Sequence, residues 1–118
     1  MKIRIDPLDK LFSNYVRLRD GVCQRCGGKP QHCAHFHGRS RRSVRWDEDN
    51  CCALCFGCHQ FLDSHPLEKV EFFRARLGEE KFDMLNSRMR TLAHHLDKEV
   101  IRLYLQEKIK QLRKENDD

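Results

Sequence analysis

Cys23-Gln24-Arg25-Cys26 and Cys55-Phe56-Gly57-Cys58 are two Cys-x-x-Cys pairs separated by residues 27–54. Zinc takes soft, deprotonated ligands in a tetrahedron, and a Cys-x-x-Cys on a tight turn offers two thiolates on one side. Gly27-Gly28 after the first pair and Gly57 inside the second supply the backbone freedom that such turns need. The pairs therefore predict one structural zinc ion held by Cys23, Cys26, Cys55 and Cys58. Their separation exceeds that of a plain zinc ribbon, and an insertion of this kind is where function is expected. The inserted stretch carries His35, His37, Arg39, Arg41, Arg42, Arg45 and Asn50. His59 follows the second pair at once, and Asp63 comes four residues later. On a helix beginning near Gly57, those two side chains share a face one turn apart. An imidazole nitrogen and a carboxylate oxygen so placed can hold a divalent cation and leave positions open for water and phosphate. The set of residues is the inventory of a metal-dependent nuclease.

Each residue also has a plainer reading. His35 and His37 could be surface or zinc-supporting histidines, Asn50 a turn residue and Asp63 a solvated helix residue. Cys33, Cys51 and Cys52 read as small buried hydrophobes. Their odd total of seven with the paired cysteines, and the paired spacing, favour metal ligation over a disulfide framework.

The 118 residues have room for one domain, and a core this limited gains from a structural metal. Charged residues make up 35% and apolar ones 39%, with no apolar run approaching a membrane span and no apolar signal core at the N-terminus. A cytoplasmic protein with no membrane partner is expected. The net charge of +5 is unevenly spread. From Asp97 onward six Lys/Arg face six Asp/Glu, so the excess lies earlier and is densest from Arg39 to Arg45. A local basic cluster of this kind points to a polyanion.

The elements that must position these residues follow from periodicity and breakers. Pro7 opens a helix in which Leu8, Leu11, Phe12, Tyr15, Val16 and Leu18 recur at mainly helical spacing, and Asp20-Gly21 closes it. Residues 31–36 and 51–54 read as two strands joined by the arginine loop. On the first strand, His35 and His37 would share a face. A short helix is expected from Gly57 to about His65 and another from Pro66 to Gly78, with Leu67, Val70, Phe73 and Leu77 inward. A third runs from Glu79 to about Leu96 with Phe82, Leu85, Met89, Leu92 and Leu96 inward. The last spans about Asp97 to Lys114, continuing that helix or folding back, before Asn116-Asp117-Asp118 frays. It offers two adjacent stripes, one of Leu96, Val100, Leu103 and Tyr104, the other of Ile101, Leu105, Ile109 and Leu112. The fold class is α+β and mostly helical.

The order His35, Asn50, His59, interleaved with the two cysteine pairs, resembles the HNH endonuclease family. The stretches Asp6–Asp20, Arg45-Trp46-Asp47-Glu48-Asp49-Asn50 and Cys55–Pro66 are similar to those of short phage-associated members, and the likeness covers roughly residues 6–90. The resemblance implies a zinc-stapled ββα-metal core over residues 23–65, flanked by an N-terminal helix (6–22) and a helical C-terminal part (66–118). It implies that His35 is the general base, that Asn50 ties the loop between the strands or touches the metal, and that His59 and Asp63 hold a catalytic Mg2+ or Mn2+. Arg39, Arg41, Arg42 and Arg45 would grip the DNA backbone. Many members place aspartate or histidine directly before the catalytic histidine as a metal ligand. Ala34 stands there instead, which leaves waters or His37 to complete the ligand set and His37 as the alternative base. The implied activity is nicking of DNA with low sequence specificity by a monomer or weak homodimer. The alternative is a non-catalytic, zinc-stabilised nucleic-acid-binding module.

Overall fold

The computed structural model describes residues 5–91 and 96–116. Their architecture is α+β and mostly helical: α1 (Pro7–Asp20), β1 (His32–His35), β2 (Cys51–Leu54), α2 (Phe56–Ser64), α3 (Pro66–Leu77), α4 (Glu79–Arg90) and α5 (Lys98–Asn116). Short 3-10 turns at Arg42–Val44 and Glu48–Asn50 shape the loop between the strands. No described helix is long and apolar enough to cross a membrane.

The helix ends have local causes. Asp6 caps α1 by accepting the Leu8 N–H at 2.8 Å, and Pro7 follows as a first-turn residue whose missing N–H is not needed. Gly21 takes φ 76° and returns its N–H to the Arg17 carbonyl at 2.9 Å, closing the helix in a conformation that other residues rarely adopt. Pro66 separates α2 from α3, and Gly78, at φ 86°, separates α3 from α4.

The strands form one antiparallel hairpin with His32 opposite Leu54, Cys33 opposite Ala53, Ala34 opposite Cys52 and His35 opposite Cys51. Facing residues share a side of the sheet, so the hairpin has two distinct faces. One face sends Ala34, Cys52 and Leu54 into a core with Cys23, Cys58, Leu62, Phe73 and Phe82. The other places Cys51 in a second core with Leu8, Phe12, Tyr15 and Val16 of α1 and Leu105 and Ile109 of α5. The last helix thus folds back against the first, using the stripe of Ile101, Leu105, Ile109 and Leu112. Val100, Leu103 and Tyr104 of the other stripe are exposed.

Three expectations are corrected. Leu67 is 82% exposed because it lies in the first turn of α3, beyond the reach of the core that buries Phe73. The helix from Glu79 ends at Arg90, with Thr91 already extended, rather than running to Leu96; Leu92 lies outside the described residues, as do Asp117 and Asp118. Asn116 is helical, where fraying was expected. Leu105→Ala should lower stability by about 2–5 kcal/mol, the range for emptying a fully buried leucine site. Leu67→Ala should change it by less than about 0.5 kcal/mol. Urea unfolding of the zinc-loaded protein checks both.

Candidate functional site

The two cysteine pairs converge. One ligand atom from each of Cys23, Cys26, Cys55 and Cys58 lies within 4.8 Å of the other three. The first pair is folded by backbone bonds, Gly27 N–H to the Cys23 carbonyl at 2.9 Å and Cys23 N–H to the Gly28 carbonyl at 2.8 Å, with Gly27 at φ 79°. The second pair sits on the first turn of α2. Cys55 is the N-cap and its sulfur accepts the Cys58 N–H at 3.4 Å. Gly28 N–H points at the Cys26 sulfur and an Arg25 guanidinium N–H at the Cys58 sulfur, each at 3.4 Å. Donors aimed at sulfur favour the thiolate form and orient it, as expected around a bound metal. A four-sulfur donor set on two turns fits zinc.

The centre staples β2 and α2 to the segment after α1. Gln24 N–H bonds the Ala53 carbonyl at 2.9 Å, and Ala53 N–H bonds the Asp20 carboxylate at 2.8 Å. Asp20 also meets the guanidinium of Arg19 at 2.9 Å and that of Arg76 at 3.2 Å.

A cleft of about 560 Å³ opens beside the hairpin, lined among others by Asp9, Lys10, Ser13, Asn14 and Arg17 from α1, and by Cys33, His35, Arg39, His59, Asp63 and Lys69. His35 ends β1, where its Nε2 lies 3.0 Å from the Arg45 carbonyl oxygen. A carbonyl can only accept, so the proton sits on Nε2 and the lone pair on Nδ1. Burial holds the His35 imidazole below its ordinary titration range, against the opposing pull of the Arg45 carbonyl.

Asn50 is fully buried and binds only the loop. Its amide group donates to the carbonyls of His37 at 2.9 Å and Val44 at 3.0 Å, and its oxygen accepts the His37 N–H at 2.8 Å. Phe36 N–H bonds the Asn50 carbonyl at 2.8 Å, extending the hairpin past β1.

His59 and Asp63 lie one turn apart on α2, with Nε2 and Oδ2 3.3 Å from each other. Two ligands at about 2.1 Å from an octahedral cation and at right angles stand about 3 Å apart, so this edge fits a small divalent ion. The other Asp63 oxygen accepts from Lys69 at 2.9 Å. His32 was not singled out from the sequence, yet its Nδ1 lies 2.9 Å from His59 Nδ1. One of these nitrogens must donate. When His59 does, its Nε2 lone pair is left facing Asp63. Burial lowers the titration range of His59, and Asp63 opposes that shift. Only the closing of α2 over the start of β1 brings His32 to His59, and no spacing in the sequence signals it.

His37 stands apart from these groups. The first strand ends at His35, so the alternation that would have put His35 and His37 on one face breaks at the bend. His37 Nε2 lies 2.8 Å from the Asn86 side-chain oxygen on α4, and His37 is not among the residues lining the cleft. Ala34 faces the core, 1% exposed, so that position does not reach the cleft either.

The four arginines are divided. Arg39 is exposed at the cleft, 3.6 Å from Asp9. Arg45 is engaged inside the protein: its Nε donates to Asp9 at 3.0 Å, a second nitrogen pairs with the same carboxylate, and its guanidinium covers the Trp46 ring. Trp46 Nε1 adds a bond to Asp9 at 2.9 Å. Arg41 and Arg42 are exposed elsewhere, beside Arg90. The four arginines expected to hold a DNA backbone thus do not form one cluster: Arg39 lies at the cleft, Arg41 and Arg42 lie elsewhere, and Arg45 is held in the scaffold.

Fold and centre together define a small α+β protein built on a hairpin and helix with a four-cysteine centre suited to zinc. The profile described as Bacteriophage Lambda NinG protein matches residues 2–115, and the chain belongs to that phage family. No curated protein and no solved structure matches it.

Elemental analysis of the purified protein should find about one tightly held zinc ion per chain, reduced in Cys26→Ser. Stripping it with a strong chelator should lower the melting temperature. Asn50→Ala removes three hydrogen bonds to the loop backbone and leaves the His37 N–H and carbonyl without this partner, so it should lower stability by about 1–3 kcal/mol, measured by denaturant unfolding.

Proposed function

We propose that this protein is a metal-dependent endonuclease of the HNH type that nicks DNA with low sequence specificity. The observation that carries the reading is the meeting of His35, Arg39, His59 and Asp63 in one cleft, with the His35 lone pair assigned to Nδ1 by the Arg45 carbonyl. Neutral at pH 7 and anchored on its far nitrogen, His35 accepts a proton from the attacking water at Nδ1. His59 and Asp63 would hold a magnesium or manganese ion, which when bound supplies charge neutralisation at the phosphate and the departing 3′ oxygen. His32 positions the His59 ring through the contact between their Nδ1 atoms. Arg39 holds the phosphate at the cleft mouth, where its exposed guanidinium can exchange Asp9 for a phosphate oxygen. Asn50 acts through the loop, since its amide is fully occupied by loop backbone. Contacts of this kind go to the backbone of the nucleic acid and carry no sequence information.

Relaxation of supercoiled plasmid with magnesium or manganese is the direct test. His35→Ala should slow nicking about 10²–10⁴-fold with plasmid binding retained, the usual range for losing a general base. His37→Gln should change the rate little. If wild type and His35→Ala both bind plasmid and neither relaxes it, the protein is a non-catalytic nucleic-acid-binding module. Because burial lowers the His35 titration range below 6.5, the base stays unprotonated at neutral pH. The acid limb of the nicking rate attributable to this group should therefore fall at a lower pH than an unperturbed histidine would give.

A further inference from the structure

Among the described residues, a second group of potential soft-metal ligands stands apart from the four-cysteine centre. Cys33 and Cys51 each present a sulfur, and His35 a ring nitrogen, all within 4.8 Å of one another. The hairpin register explains the grouping. His35 is directly opposite Cys51, and Cys33 lies two residues from His35 on the same face, so all three project to one side of the sheet. Cys52, one position along β2, points to the opposite face and is excluded.

We propose that Cys33, His35 and Cys51 form a second metal site for a thiophilic divalent ion such as zinc, and that filling it withdraws the His35 lone pair from catalysis. The second clause rests on the nuclease reading; the first does not. Two thiolates and one imidazole are a recurrent ligand set for zinc, with the fourth position left to water. The Arg45 carbonyl bonded to Nε2 fixes the ring and leaves Nδ1 as the donor, the arrangement common around metal-bound histidines. Access exists as well, because Cys33 and His35 both line the open cleft. Cys51 is fully buried, so the ion would seat at the cleft floor rather than on the surface. Magnesium and manganese prefer oxygen ligands and would leave these sulfurs free, whereas zinc, cobalt and cadmium would take them. One imidazole lone pair cannot bind such an ion and receive a proton from water at the same time.

The test is a cobalt titration of the protein carrying its structural zinc. Wild type should develop thiolate-to-cobalt charge-transfer absorption that saturates at about one cobalt per chain with zinc retained. Cys33→Ala and Cys51→Ala should lose the absorption, and Cys52→Ala should keep it. Cys33 is only half-buried, so Cys33→Ala decides the matter even where Cys51→Ala unfolds. Absence of the band in wild type, or its survival in Cys33→Ala, overturns the site. In parallel, stoichiometric added zinc should suppress plasmid nicking by wild type and not by Cys33→Ala; equal suppression of both overturns the inhibitory role. A cobalt band in a protein that never nicks supports the metal site while removing the nuclease reading.

Discussion

Four sulfur atoms gathered within 4.8 Å of one another are the constraint on which the remaining structure leans. They join a turn after α1 to the first turn of α2, across the whole of the hairpin. A β-hairpin of four-residue strands with a long connecting loop has little stability of its own. Closing both its ends onto a metal-suited centre shortens the loop that must be ordered and fixes where α2 begins. That in turn determines where His59 and Asp63 point, because both are counted from the Cys55 cap.

Inside this staple the loop is held by polar groups rather than by packing. Asn50 substitutes for a missing stretch of sheet, satisfying three backbone groups with one side chain. Asp9 performs the matching task from α1, accepting from Arg45 and Trp46. Between these two anchors lies the Arg45 carbonyl that sets the protonation of His35. The position of one imidazole proton thus depends on an asparagine after the loop, a carboxylate on a helix before it and a peptide group between them.

Much of this could be read from residue order, and the reasons are local. Pro7, Gly21, Pro66 and Gly78 act on their own backbone, so helix limits follow from them without knowledge of the fold. The paired cysteines are equally explicit because thiolate spacing is a direct geometric demand. What could not be read depends on distant partners. Of two plausible apolar stripes on α5, only contact with α1 selects Leu105 and Ile109 and leaves Val100, Leu103 and Tyr104 outside. The arginines look equivalent as a run, yet Asp9, more than thirty residues earlier, takes Arg45 out of the set. The grouping of Cys33 with Cys51 follows from strand register, and His32 meets His59 only because α2 closes over the start of β1; residue types announced neither.

The docking of α5 bears on the cleft, although none of its residues lines it. The cleft's outer wall is the polar edge of α1, with Lys10, Ser13, Asn14 and Arg17 in helical sequence. The opposite, apolar edge of α1 is gripped by Leu105 and Ile109. The last helix therefore serves as a brace behind α1, setting the width of the cleft beside His35 and His59. Sequence drift along that brace would alter the aperture while leaving every reactive group in its place.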